Sequence, residues 1–224
     1  MLFGASKRAE TTPVQLFHPH IMCSRACALE CDVNLHKSNS TFLSDMDVSR
    51  AALLTTLFHA GLRRLRPSGK MARVHFVLVA VQVSFHRQIL PYQAYEVHSQ
   101  IVGWDGKWIY VGSWFVRPGT AARQMMRQRH AEGMDLTVDS LNIEKARKEV
   151  FASAVSKYVF KQRRLTIAPV RLFEEAGFLP KSGGDAMDGK SNVSSQDGGA
   201  DGSILEDLER MRLNGLRYAK TFME

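Results

Sequence analysis

Thr41-Phe-Leu-Ser-Asp-Met-Asp-Val-Ser-Arg-Ala-Ala-Leu-Leu-Thr-Thr-Leu-Phe-His-Ala-Gly-Leu-Arg-Arg-Leu65 is the stretch on which the fold turns. Phe42, Met46, Leu53, Leu57 and Gly61 fall at three- and four-residue multiples, and Leu54, Phe58, Leu62 and Leu65 make a second row beside them. So wide an apolar face predicts a helix buried along most of its length. Asn39, Ser40 or Thr41 caps its start, and Pro67-Ser68-Gly69 ends it.

Strands are expected on both sides of this helix. A first runs through about Ile21 to Glu30. Residues 73–86, Arg-Val-His-Phe-Val-Leu-Val-Ala-Val-Gln-Val-Ser-Phe-His, are β-branched and aromatic, with a middle apolar on both faces. That pattern suits a strand buried between two layers. Residues 92–103 and 107–116 form an antiparallel pair joined at Asp105-Gly106, a strong hairpin signal. The aromatic character of 107–117 would be a liability if it were left on an open edge. Residues 149–160 supply a last strand, and Pro169 and Gly177 bracket a short helix. One long helix against a curved antiparallel sheet is an α+β layout.

The rest of the chain divides around this unit. Residues 1–15 are expected as a flexible arm, 16–180 as the domain, and 117–148 as a charged insertion within it. Residues 181–203 are Gly, Ser, Asp and Lys with little that is apolar, the composition of a flexible linker. Ser203-Ile204-Leu205-Glu206 reads as a capping box opening an amphipathic tail helix over 204–224, with Ile204, Leu208, Met211 and Leu216 as its stripe. This helix is expected to dock weakly or on a partner, leaving the domain folded without it.

Composition narrows the function classes. Forty-five per cent hydrophobic and 23% charged residues over 224 positions describe an ordinary globular protein. Thirty Lys+Arg against 22 Asp+Glu, a formal +8, favours a phosphate-bearing partner, yet no nucleic-acid-binding motif is present. No apolar run reaches the ~18 residues of a spanning helix. The opening Met1-Leu-Phe-Gly-Ala-Ser-Lys-Arg8 lacks a secretory layout, and three cysteines exclude a fully paired disulfide framework, so a reducing cytoplasmic setting is expected. Cys23, Cys27 and Cys31 contain no Cys-x-x-Cys and are read as buried apolar thiols rather than a metal site.

The segment carrying chemistry is Asp32-Val-Asn-Leu-His-Lys-Ser-Asn-Ser-Thr-Phe-Leu-Ser-Asp-Met-Asp-Val-Ser-Arg50. It resembles the hot-dog-fold acyl thioesterases of the 4-hydroxybenzoyl-CoA type, with Asp32, His36, Asn39, Asp47 and Arg50 at the family's offsets. Ser38, Phe42 and Asp47 depart from it, standing where the family has Asn, Tyr and Glu. Phe85-His-Arg87, Pro91-Tyr-Gln-Ala-Tyr-Glu96 and Gly103-Trp-Asp-Gly-Lys-Trp-Ile-Tyr110 are similar to a thioesterase-like branch that includes fungal biosynthetic-cluster proteins. The resemblance covers roughly 25–117 and 149–180. It implies a sheet wrapped around one central helix, at least a dimer with sites at the interface, and no cofactor. It also implies a substrate that is an acyl-CoA or a carrier-protein-bound acyl or polyketide thioester.

Thioester hydrolysis needs a base or nucleophile and a donor for the developing oxyanion. Asp32 is a carboxylate just before a helix whose first N–H groups, around Asn39 to Phe42, can stabilise an anionic oxygen. The resemblance makes Asp32 the principal acid–base or nucleophilic group. His36 would hold it or touch the thioester, and Asp47 would activate water or orient a neighbour across a dimer interface. Ser40, Thr41, Lys161, Arg163 and Arg164 are candidates for the phosphopantetheine or coenzyme A phosphates. Each has a plainer reading. Asp32 and Asn39 serve loops and caps in many proteins, and Asp47 paired with Arg50 on an exposed face is worth only ~0.3 kcal/mol. The departures at Ser38, Phe42 and Asp47 also keep open a non-hydrolytic acyl-binding or assembly protein on the same fold.

Overall fold

The computed structural model describes residues 12–65, 74–119, 149–180 and 199–224. Most of the expected insertion at 117–148 and of the linker at 181–203 lies outside the described residues, as does Pro67-Ser68-Gly69. A six-stranded antiparallel sheet runs in the order β1 (His20–Arg25), β3 (Ala94–Trp104), β4 (Ile109–Val116), β5 (Val150–Gln162), β2 (Val74–Phe85), with β6 (Leu165–Ile167) also pairing β5. Among the described residues three α-helices accompany it: α1 (Asn39–Arg64), α2 (Pro169–Ala176) and α3 (Gly199–Met223).

The helix predicted from the double apolar row is α1, and the sheet curls around it. Register explains which side chains meet it, because directly opposite residues share a face. Val97, Ser99 and Ile101 of β3 oppose Phe115, Ser113 and Val111 of β4. Those in turn oppose Ala152, Ala154 and Ser156 of β5. Two apolar clusters result. Phe42 and Met46 pack with Ile89, Tyr95, Val97, Phe115 and Phe151 near the start of α1. Leu53, Leu54 and Phe58 pack with Trp104, Phe160, Leu172 and Phe173 near its end. A buried polar belt separates them: Ser49 Oγ is 2.8 Å from Ser99 Oγ, which is 2.9 Å from Ser113 Oγ. Buried hydroxyls are tolerated here because each has a partner.

The Asp105-Gly106 hairpin forms as expected. Asp105 Oδ1 accepts from the N–H groups of Lys107 (3.0 Å) and Trp108 (2.8 Å), closing the β3–β4 turn. Pro169 opens α2 and Gly177, at φ 90°, ends it in the left-handed conformation.

Several expectations are corrected. β1 stops at Arg25 rather than running to Glu30, because its partner strand begins at Ala94, opposite Arg25. Ala28–Glu30 instead forms a 3-10 turn. Ser38 occupies the N-cap of α1. Thr41 Oγ1 donates back to the Ser38 carbonyl at 2.7 Å. The strand at 74–85 is not sandwiched between layers but forms a sheet edge, with Val77, Leu78 and Val79 exposed. The strand at 109–116 is not an edge at all: β4 is paired on both sides. A 3-10 helix begins inside the expected arm at Pro13, and it buries Leu16 and Phe17 against Trp104.

The tail helix departs most. It begins at Gly199, so Ser203 lies within it rather than at a cap. Leu208 and Ala219 are buried while Ile204 is exposed. The helix docks closely on the outer face of the sheet, against Val102, Tyr110 and Val155. A Cβ on Gly103 would come within 2.8 Å of the Leu216 nitrogen, and one on Gly215 would fall on the Val102 carbonyl. Two glycines therefore let backbone meet backbone. Arg212 Nη1 adds a 2.7 Å hydrogen bond to the Trp104 carbonyl. Glycine and alanine do not register as an apolar stripe, which hid this face in the sequence.

Candidate active site

The segment before α1 closes on itself. The Asp32 N–H donates to the His36 carbonyl at 2.9 Å, and the Leu35 N–H donates to the Asp32 carbonyl at 3.1 Å. A bridge joins Cys31 and Lys37 across the base. Asp32 Oδ1 accepts from the Asn34 N–H at 2.9 Å. Leu35 adopts φ 56°, a left-handed conformation that costs a branched L-residue on the order of 1–2 kcal/mol. Such strain persists only where the surroundings over-determine it, and it gathers at functional sites. His36 Nδ1 lies 3.6 Å from Asp32 Oδ1, with the two side chains 25% and 31% exposed. A carboxylate and an imidazole thus stand together, partly open to solvent.

This loop is tied to the helix start. The Ser38 N–H donates to the Glu30 carbonyl and the Lys37 N–H to the Ile89 carbonyl, both at 2.8 Å. Asn39 and Ser40 provide the first two N–H groups of α1. As first-turn donors they have no intrahelical acceptor, and none is found for them among the described residues. With the positive end of the helix dipole they can receive an anionic oxygen. The Thr41 hydroxyl is committed to the Ser38 carbonyl, and Ser40 Oγ sits 3.0 Å from Ser38 Oγ.

Beneath the loop lies a cluster that the sequence did not reveal. The Lys37 side chain is fully buried, with Nζ 2.7 Å from Glu30 Oε2 and 2.9 Å from Asp45 Oδ2. The Tyr95 hydroxyl donates to the same Asp45 oxygen at 2.6 Å. Burial works against the ammonium, but hydrogen bonds involving Glu30, Asp45 and Tyr95 outweigh it and hold the lysine pKa above its ordinary value. Burial first, and then the hydrogen bond to Asp45, push the Tyr95 hydroxyl up to about 12. At neutral pH the cluster is therefore an ammonium and a neutral phenol. Lysines are rarely buried, and nothing in the sequence pattern marks this one as an exception.

Asp47 stands apart. It lies about 12 Å further along α1 than Asn39, at 1.5 Å per residue. It is exposed and paired with Arg50. Arg50 itself is 1% exposed, so this is not the surface pair expected from the spacing. Its Nε donates to the Met46 carbonyl at 3.0 Å, Nη1 reaches Ser156 Oγ, and the guanidinium lies 5.8 Å from the Tyr158 ring. A buried guanidinium thereby fixes a surface carboxylate.

The basic candidates are elsewhere in this chain. Arg163 and Arg164 form the exposed turn between β5 and β6, with Lys161 just before it. Gln162 Nε2 bonds the Leu65 carbonyl, which places this turn at the far end of α1 from Asp32. Cys23 and Cys27 are exposed and Cys31 is half-buried, against the expectation of buried thiols. Among the described residues no group of three or more His, Cys, Asp and Glu side chains is arranged to hold a metal ion. No helix among them is long and apolar enough to cross a membrane.

Residues 28–154, which hold the Asp32 loop, α1, strands β2 to β4 and the start of β5, match the model of the thioesterase-like superfamily. The chain belongs to the thioesterase-like superfamily. As a member it is a thioester hydrolase by class, on a hot-dog fold. The thioesterase is 37% identical over 216 residues to thioesterase poxG of Penicillium oxalicum, covering 93% of this chain and 67% of that protein. It is 35% identical over 208 residues to the probable thioesterase atnL of Emericella nidulans, covering 87% of this chain and 64% of that one. It thus spans about two thirds of the length of these relatives. Among solved structures, the YbaW probable thioesterase from Escherichia coli aligns at TM-score 0.49 and 14% identity, covering 70% of this chain and 96% of that one.

Proposed function

We propose that this thioesterase hydrolyses an acyl-CoA or a carrier-protein-bound acyl or polyketide thioester, with Asp32 as base or nucleophile. The supporting observation is the closed loop that sets Asp32 beside His36, just before the free N–H groups of Asn39 and Ser40. As a base, Asp32 takes a proton from water while the hydroxide attacks the thioester carbonyl. As a nucleophile, it attacks the carbonyl itself, and water then cleaves the acyl–aspartyl anhydride. In both routes the C–S bond breaks while the helix N–H groups receive the oxyanion; in the first the proton taken up by Asp32 passes to the departing thiolate, and in the second the thiolate takes one from solvent. His36 steadies the carboxylate.

The decisive measurement is the turnover of Asp32→Asn on a panel of acyl-CoA and carrier-bound thioesters, with matched melting curves. We expect kcat to fall by a factor on the order of 10² to 10⁴ with folding retained. Near-wild-type turnover would remove Asp32 from the chemistry. A wild-type protein that binds the thioesters but hydrolyses none would favour the acyl-binding reading.

The same proposal includes a homodimer joined through β2, not β4. The exposed apolar middle of β2 lies on an open edge, a position proteins seldom leave uncovered. Antiparallel pairing of two β2 strands sets the Val74 end of one against the Phe85 end of the other. The basic turn at Arg163-Arg164 of a second copy then approaches the Asp32 end of the first, where coenzyme A or phosphopantetheine phosphates would lie. Asp47, paired with the Arg50 whose guanidinium lies over the Tyr158 ring of β5, is on the same side of α1. Sedimentation should give a dimer at micromolar concentration; a monomer would remove Lys161, Arg163, Arg164 and Asp47 from the site.

A further inference from the structure

Lys37 is a charged side chain buried directly under the segment that carries Asp32, and the hydrolytic steps above do not use it. Its backbone N–H is held by the Ile89 carbonyl, in the segment after β2. Its ammonium spans Glu30, on the entry side of the loop, and Asp45, on the second turn of α1. Asp45 is fixed in turn by the Tyr95 hydroxyl from β3. The Lys37 Nζ also lies 5.2 Å from the Tyr95 ring centre and 5.8 Å from that of Phe42. One ammonium thus joins both ends of the Asp32 loop, the helix that supplies the oxyanion donors, and the sheet.

An ammonium or carboxylate buried without a partner is costly, so the buried Lys37 charge and that of Asp45 hold each other in place. An apolar side chain at position 37 would fill the space at lower desolvation cost but would not fix the loop's height over the helix. We propose that Lys37 is a positioning residue for thioester hydrolysis: its buried ammonium holds the Asp32 loop, strained at Leu35, in register with the N–H groups of Asn39 and Ser40. This rests on the assignment of Asp32.

The test is a double-mutant cycle on one thioester substrate, comparing wild type, Asp32→Asn, Lys37→Met and the doubly substituted chain. The kcat and KM of each are measured on protein shown to be folded by its melting curve. Lys37→Met should lower kcat by on the order of 10- to 100-fold, the cost of a misplaced catalytic group, with KM changed less than about threefold. Added to Asp32→Asn, it should cost little more, because the carboxylate it positions is already disabled. A merely structural lysine would not produce that non-additivity. If Lys37→Met does not fold, Lys37→Met/Asp45→Asn, which removes one charge of each sign, takes its place in the cycle. An unchanged kcat in the Lys37 variant beside a disabled Asp32→Asn, or losses that multiply, would overturn the positioning role and leave Asp32 intact. Wild-type turnover by Asp32→Asn would instead overturn the Asp32 assignment and this inference with it.

Discussion

The two faces of the sheet each carry a long helix, and they hold it by different physics. On the concave face α1 packs through large side chains, with charged groups set beside them: Lys37 just before the helix, Asp45 on its second turn, and Arg50 against Ser156 of β5. On the outer face α3 sets small residues, Gly215 and Ala219, close against the sheet, flanked by Leu208 and Leu216. The inner helix presents free N–H groups beside a half-exposed carboxylate and imidazole. The outer helix brings no comparable group to the sheet. The contrast teaches that close docking and chemistry have been assigned to different helices. Burial of Lys37, Ser49 and Arg50 on the concave face is tolerated because each finds a partner.

Two substitutions break this comparison from opposite sides. The larger effect is expected at Phe58, fully buried on α1 and within 5.3–6.2 Å, ring centre to ring centre, of Phe160, Phe173 and Phe178. Phe58→Ala should cost about 3–5 kcal/mol in denaturant unfolding. The kcat of the molecules that remain folded should stay near wild type, because the site sits at the other end of the helix. A fall in kcat with unchanged stability would show that the two ends of α1 are not separable.

The smaller effect is expected at Gly215. A methyl there meets the Val102 carbonyl oxygen, which is backbone and has no side-chain freedom to yield. Gly215→Ala should destabilise by about 1–3 kcal/mol, the usual cost of overpacking. Hydrogen exchange should speed up in α3 and in β3 near Val102 while the Asp32 loop keeps its protection. Unchanged exchange in α3 would mean that its docking does not depend on this contact.

Much of the frame was legible in the sequence because it rests on local patterns. The helical rows from Phe42 to Leu65, the Asp105-Gly106 turn and the Pro169–Gly177 bracket are each written within a few residues. Asp32 and His36 were marked only by the family resemblance; the loop that closes on itself and sets them 3.6 Å apart is a finding of the structure. Sheet position was not legible. The apolar run of β2 reads as a central strand, and only the strand order shows that it is an edge. The depth of Arg50 was hidden as well, because a three-residue spacing from Asp47 says nothing of which partner is buried.

By itself, then, the sequence determined the element types and the turn chemistry, because propensity, periodicity and capping act over short distances. Tertiary structure alone decided what long-range packing controls. It set β2 rather than β4 at the edge and docked the tail helix on the sheet through Gly215 and Gly103. It also gathered Glu30, Lys37, Asp45 and Tyr95, which come from four separate places in the chain, into one buried cluster. A lysine's sequence neighbours cannot reveal its burial: that depends on carboxylates and a phenol brought to it only when helix and sheet close together.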